Sequence, residues 1–367
     1  MAPLHSHPPL PARRPVAGVT RRRVLMAAPL LAVAAHGRGA QASPALVRNS
    51  LALMGTRVDI VVEPSNGLST LHAQQAIDAA QATMRGQAAL MSRYDPASAV
   101  SRINALAGRR AVPVPPALMD VLRTAQALAV FTDGAFDITV GALSAWHFDG
   151  TAQRPPRPAV VRAQRARVRA GALQLDAQAG TAFLPEPGMA IDLGGVAKLP
   201  ILAAGLETLR RHGVQHALVN GGGDVLVVGL SQGRPWRIGL RDPLQPERLL
   251  GTVSLAQGGV VASSGDYERY FWYEGRRLHH ILDPHTGYPT TGLHGVALVA
   301  AGVGEVNGLG AAAMVKGAAD AQAMLAQRPG IQALMVGAGG LWSTPGLQDV
   351  RGHGAHFTLQ DGRLRAA

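Results

Sequence analysis

The chain has 367 residues, 47% of them hydrophobic and 16% charged, a balance that supports a sizeable core and excludes a disordered or fibrous protein. It has no cysteine, which excludes disulfides, thiolate metal sites and cysteine nucleophiles. The formal net charge of +12 invites a nucleic-acid partner, but residues 1–42 hold six arginines and no acid; without them 29 basic residues face 23 acidic ones, and no nucleic-acid partner is expected.

In chain order, the first segment reads as an address. Thr20-Arg21-Arg22-Arg23 precedes the apolar run Ala27 to Ala35, which is too short to span a bilayer. Ala40-Gln41-Ala42 has the small-x-small form of a cleavage site. Residues 1–42 resemble a twin-arginine signal peptide, with an ordinary secretory signal as the alternative. The mature chain, 43–367, is then expected in the periplasm, starting near Ser43 and without a stable membrane span.

The mature chain alternates strands and helices. Leu51 to Val62 reads as one strand. Apolar residues at Ala73, Ala76, Ile77, Ala80, Met84 and Met91 predict a helix over 71–91. Leu118, Val121, Leu122, Ala125, Leu128 and Ala129 predict a second, started by Pro115-Pro116. Residues 151–180, rich in Arg, Pro and Ala, read as a variable insertion. A helix over 199–212 closes at Gly213, and strands follow at 216–219, 225–230, 236–240, 249–255 and 260–263. Residues 267–273 and 277–282 form a hairpin turning at Glu274-Gly275. A strand over 296–301, a helix over 306–327 and a strand over 331–336 complete the chain. Strands dominate the C-terminal half with helices interspersed, so the class is α+β.

Two motifs match by accident. Gly229-Leu230-Ser231-Gln232-Gly233 fits a nucleophile elbow, but Pro235 and a strand follow where a helix is required. Gly302-Val303-Gly304-Glu305-Val306-Asn307-Gly308 has the wrong glycine spacing for a dinucleotide fingerprint.

Other segments carry chemistry. Met54-Gly55-Thr56, Ser92-Arg93-Tyr94-Asp95-Pro96 and Thr132-Asp133-Gly134-Ala135-Phe136-Asp137 are each compatible with plain turns. Ile191-Asp192-Leu193-Gly194-Gly195-Val196-Ala197-Lys198 is more informative, because adjacent glycines let backbone amides approach a phosphate. Lys198 is one of two lysines beside 33 arginines, which points to a need for a compact ammonium there. Ser263-Ser264-Gly265-Asp266-Tyr267-Glu268-Arg269 and His280-Ile281-Leu282-Asp283-Pro284-His285-Thr286-Gly287 follow. Taken alone, His280 reads as a hairpin histidine pairing with Asp283 rather than as a base.

Together and in this order, from about residue 50 to 340, these segments resemble the ApbE family of FAD:protein FMN transferases. The resemblance implies an ApbE-like (T-fold-like) α+β fold of mixed sheets and packed helices, with a flavin site between two lobes. It implies cleavage of FAD at its pyrophosphate, transfer of FMN to a Thr or Ser hydroxyl of an acceptor flavoprotein, and release of AMP. By motif position, Met54, Tyr94, Ala135, Phe136, Asp137, Asp192, Lys198 and Ile281 contact FAD, and His280 accepts the hydroxyl proton. The family uses Mg²⁺, for which Gly195 matches a backbone-carbonyl ligand.

The sequence departs from the family where the metal binds. The family motif places Asp and Thr where this chain has Asn307 and Ala311. Mg²⁺ prefers hard oxygen donors including a carboxylate; Asn307 offers only a neutral oxygen and Ala311 none. On one regular helix, Asn307 and Ala311 share a face and Glu305 points away. This leaves an alternative to the transferase: a catalytically weak periplasmic protein that binds or stores FAD.

Overall fold

The computed structural model describes residues 45–151, 153–348 and 355–359, all within one unit, Ser43–Ala367. The expected signal segment lies outside the described residues. In chain order the elements begin β1 (Val47–Leu53), β2 (Thr56–Glu63), α1 (Thr70–Met91), α2 (Ala99–Ala105), β3 (Val112–Pro113) and α3 (Pro116–Phe131). A 3₁₀ helix (Ile138–Ala142), α4 (Pro158–Arg165), β4 (Gln174–Asp176), β5 (Thr181–Phe183) and α5 (Lys198–Arg211) follow. Next come β6 (His216–Gly221), β7 (Asp224–Val228), β8 (Trp236–Arg241), β9 (Leu249–Leu255), β10 (Gly259–Gly265), β11 (Tyr270–Tyr273), β12 (Arg276–His279) and β13 (Leu293–Ala300). The last are α6 (Val303–Val306), α7 (Leu309–Ala326), β14 (Gln332–Gly337), β15 (Gly340–Ser343), α8 (Pro345–Gln348) and β16 (Ala355–Leu359). No helix among the described residues is long and apolar enough to cross a membrane.

The frame is an eight-stranded sheet in the order β1-β2-β6-β7-β10-β13-β14-β15, with every neighbour antiparallel. Period-two alternation divides its side chains between two cores. Val58, Ile60, Ala217, Val219, Leu226, Val260, Leu298 and Met335 face the main core with α1, α5 and α7. Val61, Val225, Val227, Val261, Val299 and Leu334 face a second core with β8 and β9, which belong to the three-stranded sheet β16-β9-β8. Buried on both faces, the central strands cannot slip by one residue without exchanging their two cores. The α+β class expected from the sequence is the class observed.

The helices form for local reasons. Ser69 caps α1 by accepting from the His72 backbone N–H at 3.1 Å, and the expected residues from Ala73 to Met91 are its buried stripe. Pro116 occupies the first helical position of α3, where a missing N–H costs nothing.

Two expectations are corrected. The single strand over 51–62 is a hairpin, β1 and β2, turned at Met54 (φ 54°) and Gly55 (φ 71°). Two-residue hairpins of this kind need positive φ at both positions, and methionine gives no sequence signal for it. The helix over 306–327 is not continuous: α6 ends at Val306, Asn307 is extended in ψ (122°), and Gly308 takes φ 76° before α7 restarts. A second break falls at Gly317 (φ 75°, ψ 177°).

A third, smaller core joins Ala142, Leu143, Trp146, Val161, Val168 and Phe271. It ties α4, inside the segment 151–180, to the β11–β12 ribbon. Phe148 stacks between Trp146 and Phe271, with ring centroids 5.8 Å apart on each side. Trp146 Nε1 donates to the Gly287 carbonyl at 2.9 Å. The segment read as a variable insertion therefore props up the ribbon that leads to His280.

Candidate active site

The loop from Ile191 to Lys198 is held at both ends. Asn104 accepts from the Ile191 N–H at 2.8 Å and donates to its carbonyl at 3.0 Å, a two-point grip from α2. The Asp192 N–H donates to the Ile138 carbonyl at 2.8 Å. Gly141 lets the two segments touch, since a Cβ there would lie 2.5 Å from the Ile191 carbonyl carbon. Asp192 Oδ1 accepts from the Gly194 N–H and Oδ2 from Arg93, each at 2.8 Å. The loop thus starts on one ion pair and ends on another: Lys198, first residue of α5, places Nζ 2.7 Å from Asp224 Oδ2. Asp224 is buried, and its Oδ1 also accepts from the Ser263 N–H at 2.8 Å. An ammonium has three donors, so the Asp224 contact leaves Lys198 able to bind an anion.

Midway along the loop lies a neutral cluster. The Phe136 ring fills the space between two glycines: a Cβ on Gly195 would lie 3.0 Å from its Cε2, and one on Gly308 3.3 Å away. Gly308 also lies against Leu128, whose Cδ2 would meet such a Cβ at 2.2 Å. Asn307 is buried at the α6–α7 junction, and its Nδ2 donates to the Val196 carbonyl at 2.9 Å. The Ala311 methyl lies 3.9 Å from where a Gly195 Cβ would be. Gly195, Asn307 and Ala311 therefore do converge, through a break at Gly308 rather than one helical face. Glu305 is directed elsewhere: its Oε1 accepts from the Gly302 N–H at 2.9 Å.

The third part is the β11–β12 ribbon. The His280 N–H donates to the Arg269 carbonyl at 3.1 Å, and the Arg269 guanidinium reaches the Met54 carbonyl at 3.2 Å. The positive-φ turn at Met54-Gly55 makes that reach possible, because a Cβ on Gly55 would meet Arg269 Nη2 at 2.5 Å. Below the ribbon, buried Asp266 accepts from Arg277 at 2.6 Å and from His294 Nδ1 at 2.8 Å. Arg277 in turn lies over the Tyr270 and Trp272 rings, at 4.9 and 5.4 Å.

His280 is solvent-exposed yet closely surrounded by protein atoms. That crowding, then the Arg269 guanidinium and His279, hold its imidazole below the usual range, with Lys198 adding a smaller push. With its pKa below the usual histidine range, His280 is neutral at pH 7. The alternative pairing with Asp283 is not formed. Asp283 instead accepts from the His285 N–H at 2.8 Å and the Thr286 hydroxyl at 2.9 Å.

The remaining expected residues divide. Ile281 packs on the main core, and Ala135 and Phe136 are buried. Tyr94 is 78% exposed, with the Arg93 guanidinium 5.4 Å from its ring centroid. Asp137 turns inward: its oxygens accept from the Thr139 N–H and hydroxyl, each at 2.8 Å, and burial raises its pKa despite these bonds. Sequence reasoning gave no separate role to Arg93, Asp224 or Arg269. The available signals were an arginine next to Tyr94, an acid after a run of three glycines, and the last residue of Ser-Gly-Asp-Tyr-Glu-Arg.

Residues 54–335 match the ApbE family model. An FAD:protein FMN transferase of Klebsiella pneumoniae is 36% identical over 209 residues, which is 54% of this chain and 64% of that protein. One from Salmonella typhimurium is 30% identical over 305 residues, covering 80% of this chain and 85% of that one. The crystal structure of the ApbE protein from Thermotoga maritima superposes with a TM-score of 0.75 at 31% identity, over 83% of this chain and 98% of that one. With the family model matched over residues 54–335 and the fold shared along most of its length, the chain belongs to the ApbE family.

Proposed function

We propose that this chain cleaves FAD at its pyrophosphate and transfers FMN to a Thr or Ser hydroxyl of an acceptor flavoprotein, releasing AMP. The observation that supports this best is the cation fixed at the end of the glycine loop, Lys198 held 2.7 Å from buried Asp224, in a chain that also presents the solvent-exposed His280 at the end of the ribbon. The acceptor oxygen attacks the flavin-side phosphorus and forms a phosphoester. The bond from that phosphorus to the bridging oxygen breaks, and its electron pair leaves with AMP. The hydroxyl proton passes to the free nitrogen of His280. Lys198 offsets charge that grows on the leaving phosphate. An anionic pyrophosphate beside His280 raises its pKa back toward neutrality, where a general base works best.

The residues at the family's cation position do not fit a divalent ion. Asn307 turns a donor toward the Val196 carbonyl and Ala311 presents a methyl, so neither supplies the carboxylate or hydroxyl oxygen that such an ion needs. No step above depends on one. The twin-arginine reading of residues 1–42 places the mature protein in the periplasm; its support is Arg21-Arg22 and Ala40-Gln41-Ala42. Intact mass of the exported form tests it, and retention of residues 20–35 contradicts it.

The transfer itself is tested by incubating a Thr-bearing acceptor flavoprotein with FAD and this protein. The acceptor gains the mass of FMN less water, and AMP appears in equal amount. FAD that binds without changing the acceptor favours the storage reading.

A further inference from the structure

We propose that the Asn307 amide stands in for a divalent cation, so that the FAD site of this chain assembles without a metal ion. The inference rests on the reading above that the site takes FAD. A cation at this locus holds electronegative oxygens together. Here the same task falls to an N–H group: Asn307 Nδ2 donates to the Val196 carbonyl at 2.9 Å from a buried position. The partner is a carbonyl, which only accepts, so the amide's NH₂ end must face it.

The backbone locks this arrangement. The Asn307 N–H donates to the Val303 carbonyl at 3.0 Å, and Gly308 at φ 76° turns the chain into α7. An aspartate in the same place would set a carboxylate oxygen against the Val196 carbonyl. Two buried acceptors at that separation repel unless a cation lies between them. Ala311 removes a further potential oxygen, and its methyl faces Gly195. The neighbouring carboxylates are engaged as well: Asp192 with Arg93, Asp224 with Lys198, and Asp137 with Thr139. Positive charge around the site therefore resides in side chains, Arg93, Lys198 and Arg269, that need no metal to be present.

The test uses the mature protein and the variants Asn307→Asp and Asn307→Asp with Ala311→Thr. Each is melted thermally in EDTA and in MgCl₂ at matched ionic strength, and the parent is also titrated with FAD under both conditions. The parent is expected to show one melting temperature and FAD affinities within about two-fold of each other. Asn307→Asp is expected to melt lower than the parent in EDTA and to regain stability with Mg²⁺, and the double variant to respond more strongly. The proposal is overturned if Mg²⁺ raises the parent's melting temperature, if it tightens parent FAD binding about ten-fold or more, or if Asn307→Asp in EDTA melts with the parent. The parent's own response decides the matter even where a variant does not fold. Failure to bind FAD under either condition removes the FAD reading alone, since the melts need no flavin.

Discussion

The loop from Asp192 to Lys198 joins two kinds of chemistry within seven residues. Its ends are charged and cross-braced: Asp192 on Arg93, Lys198 on a buried Asp224 that also receives the Ser263 amide. Its middle is neutral, with the Phe136 ring between two glycines and the Asn307 amide on the Val196 carbonyl. The ends hold permanent side-chain cations at fixed positions, as an anionic ligand requires. The middle holds shape: Gly308 has no room for a methyl group beside Leu128, and a Cβ on Gly195 would sit tightly against the Phe136 ring. Charge and packing are thus assigned to separate residues of one loop, and each can be perturbed without the other.

The largest expected effect lies beside the charged end. His280→Ala should lower FMN transfer about 10²- to 10⁴-fold, the usual worth of a positioned base. FAD affinity should be retained, because the residue's role is to take a proton. Acceptor mass against time, with FAD titration alongside, checks both halves; a matched loss of binding and transfer would make His280 a binding residue instead.

Lys198→Ala comes next. It should weaken FAD by roughly 1–3 kcal/mol, the range for a hydrogen bond to a charged group. It also strands the Asp224 carboxylate, so the variant should be less stable as well. Adding Asp224→Asn sharpens the comparison: stability should recover while FAD affinity stays low. Recovery of both would show that Lys198 serves the fold alone.

Gly308→Ala probes the neutral middle. A Cβ there meets Leu128 Cδ2 at 2.2 Å, and the residue holds φ 76°. Denaturant unfolding should show a loss of about 1–3 kcal/mol, from overpacking and backbone strain. A stability equal to the parent would mean that the Leu128 side chain gives way without cost.

The smallest effect is a pH dependence. His279 and His280 both titrate below 6.5, His279 from burial first and His280 from the protein atoms crowded around its exposed ring. The unfolded chain therefore takes up protons at a higher pH than the folded one. Stability should fall as pH drops from about 6.5 toward 4 and be flat above that window. His280→Gln should make the slope shallower, and an unchanged slope would assign it to other groups.

Much of this was legible in the sequence, and the failures share a cause. The 3.6-residue spacing from Ala73 to Met91 and from Leu118 to Ala129 located α1 and α3, because one-sided burial writes itself into spacing. Glu274-Gly275 gave the ribbon turn, as both residues adopt positive φ. Met54-Gly55 makes the same kind of turn, with positive φ at both residues, but the apolar Leu51, Leu53 and Met54 continue a strand pattern into it, so the hairpin reads as one strand. The break at Asn307-Gly308 had a signal, since Asn-Gly is a turn dipeptide, but the apolar spacing from Val306 through Leu309 to Leu325 carries the helical pattern across it. The φ of Gly308 answers to Leu128 and Phe136, far away in sequence. For the same reason the motifs marked Lys198 and His280 but not what holds them. Asp224 and Arg269 act through partners 26 and 215 residues away, at Lys198 and Met54.

The division of labour along this loop is tested most directly by a crystal structure of the FAD complex grown in Mg²⁺. The account predicts a pyrophosphate oxygen within hydrogen-bond distance of Lys198 Nζ, with the Asn307 amide still on the Val196 carbonyl. An ion bound to the Gly195 carbonyl and the Asn307 oxygen, with the amide turned away from Val196, would contradict it.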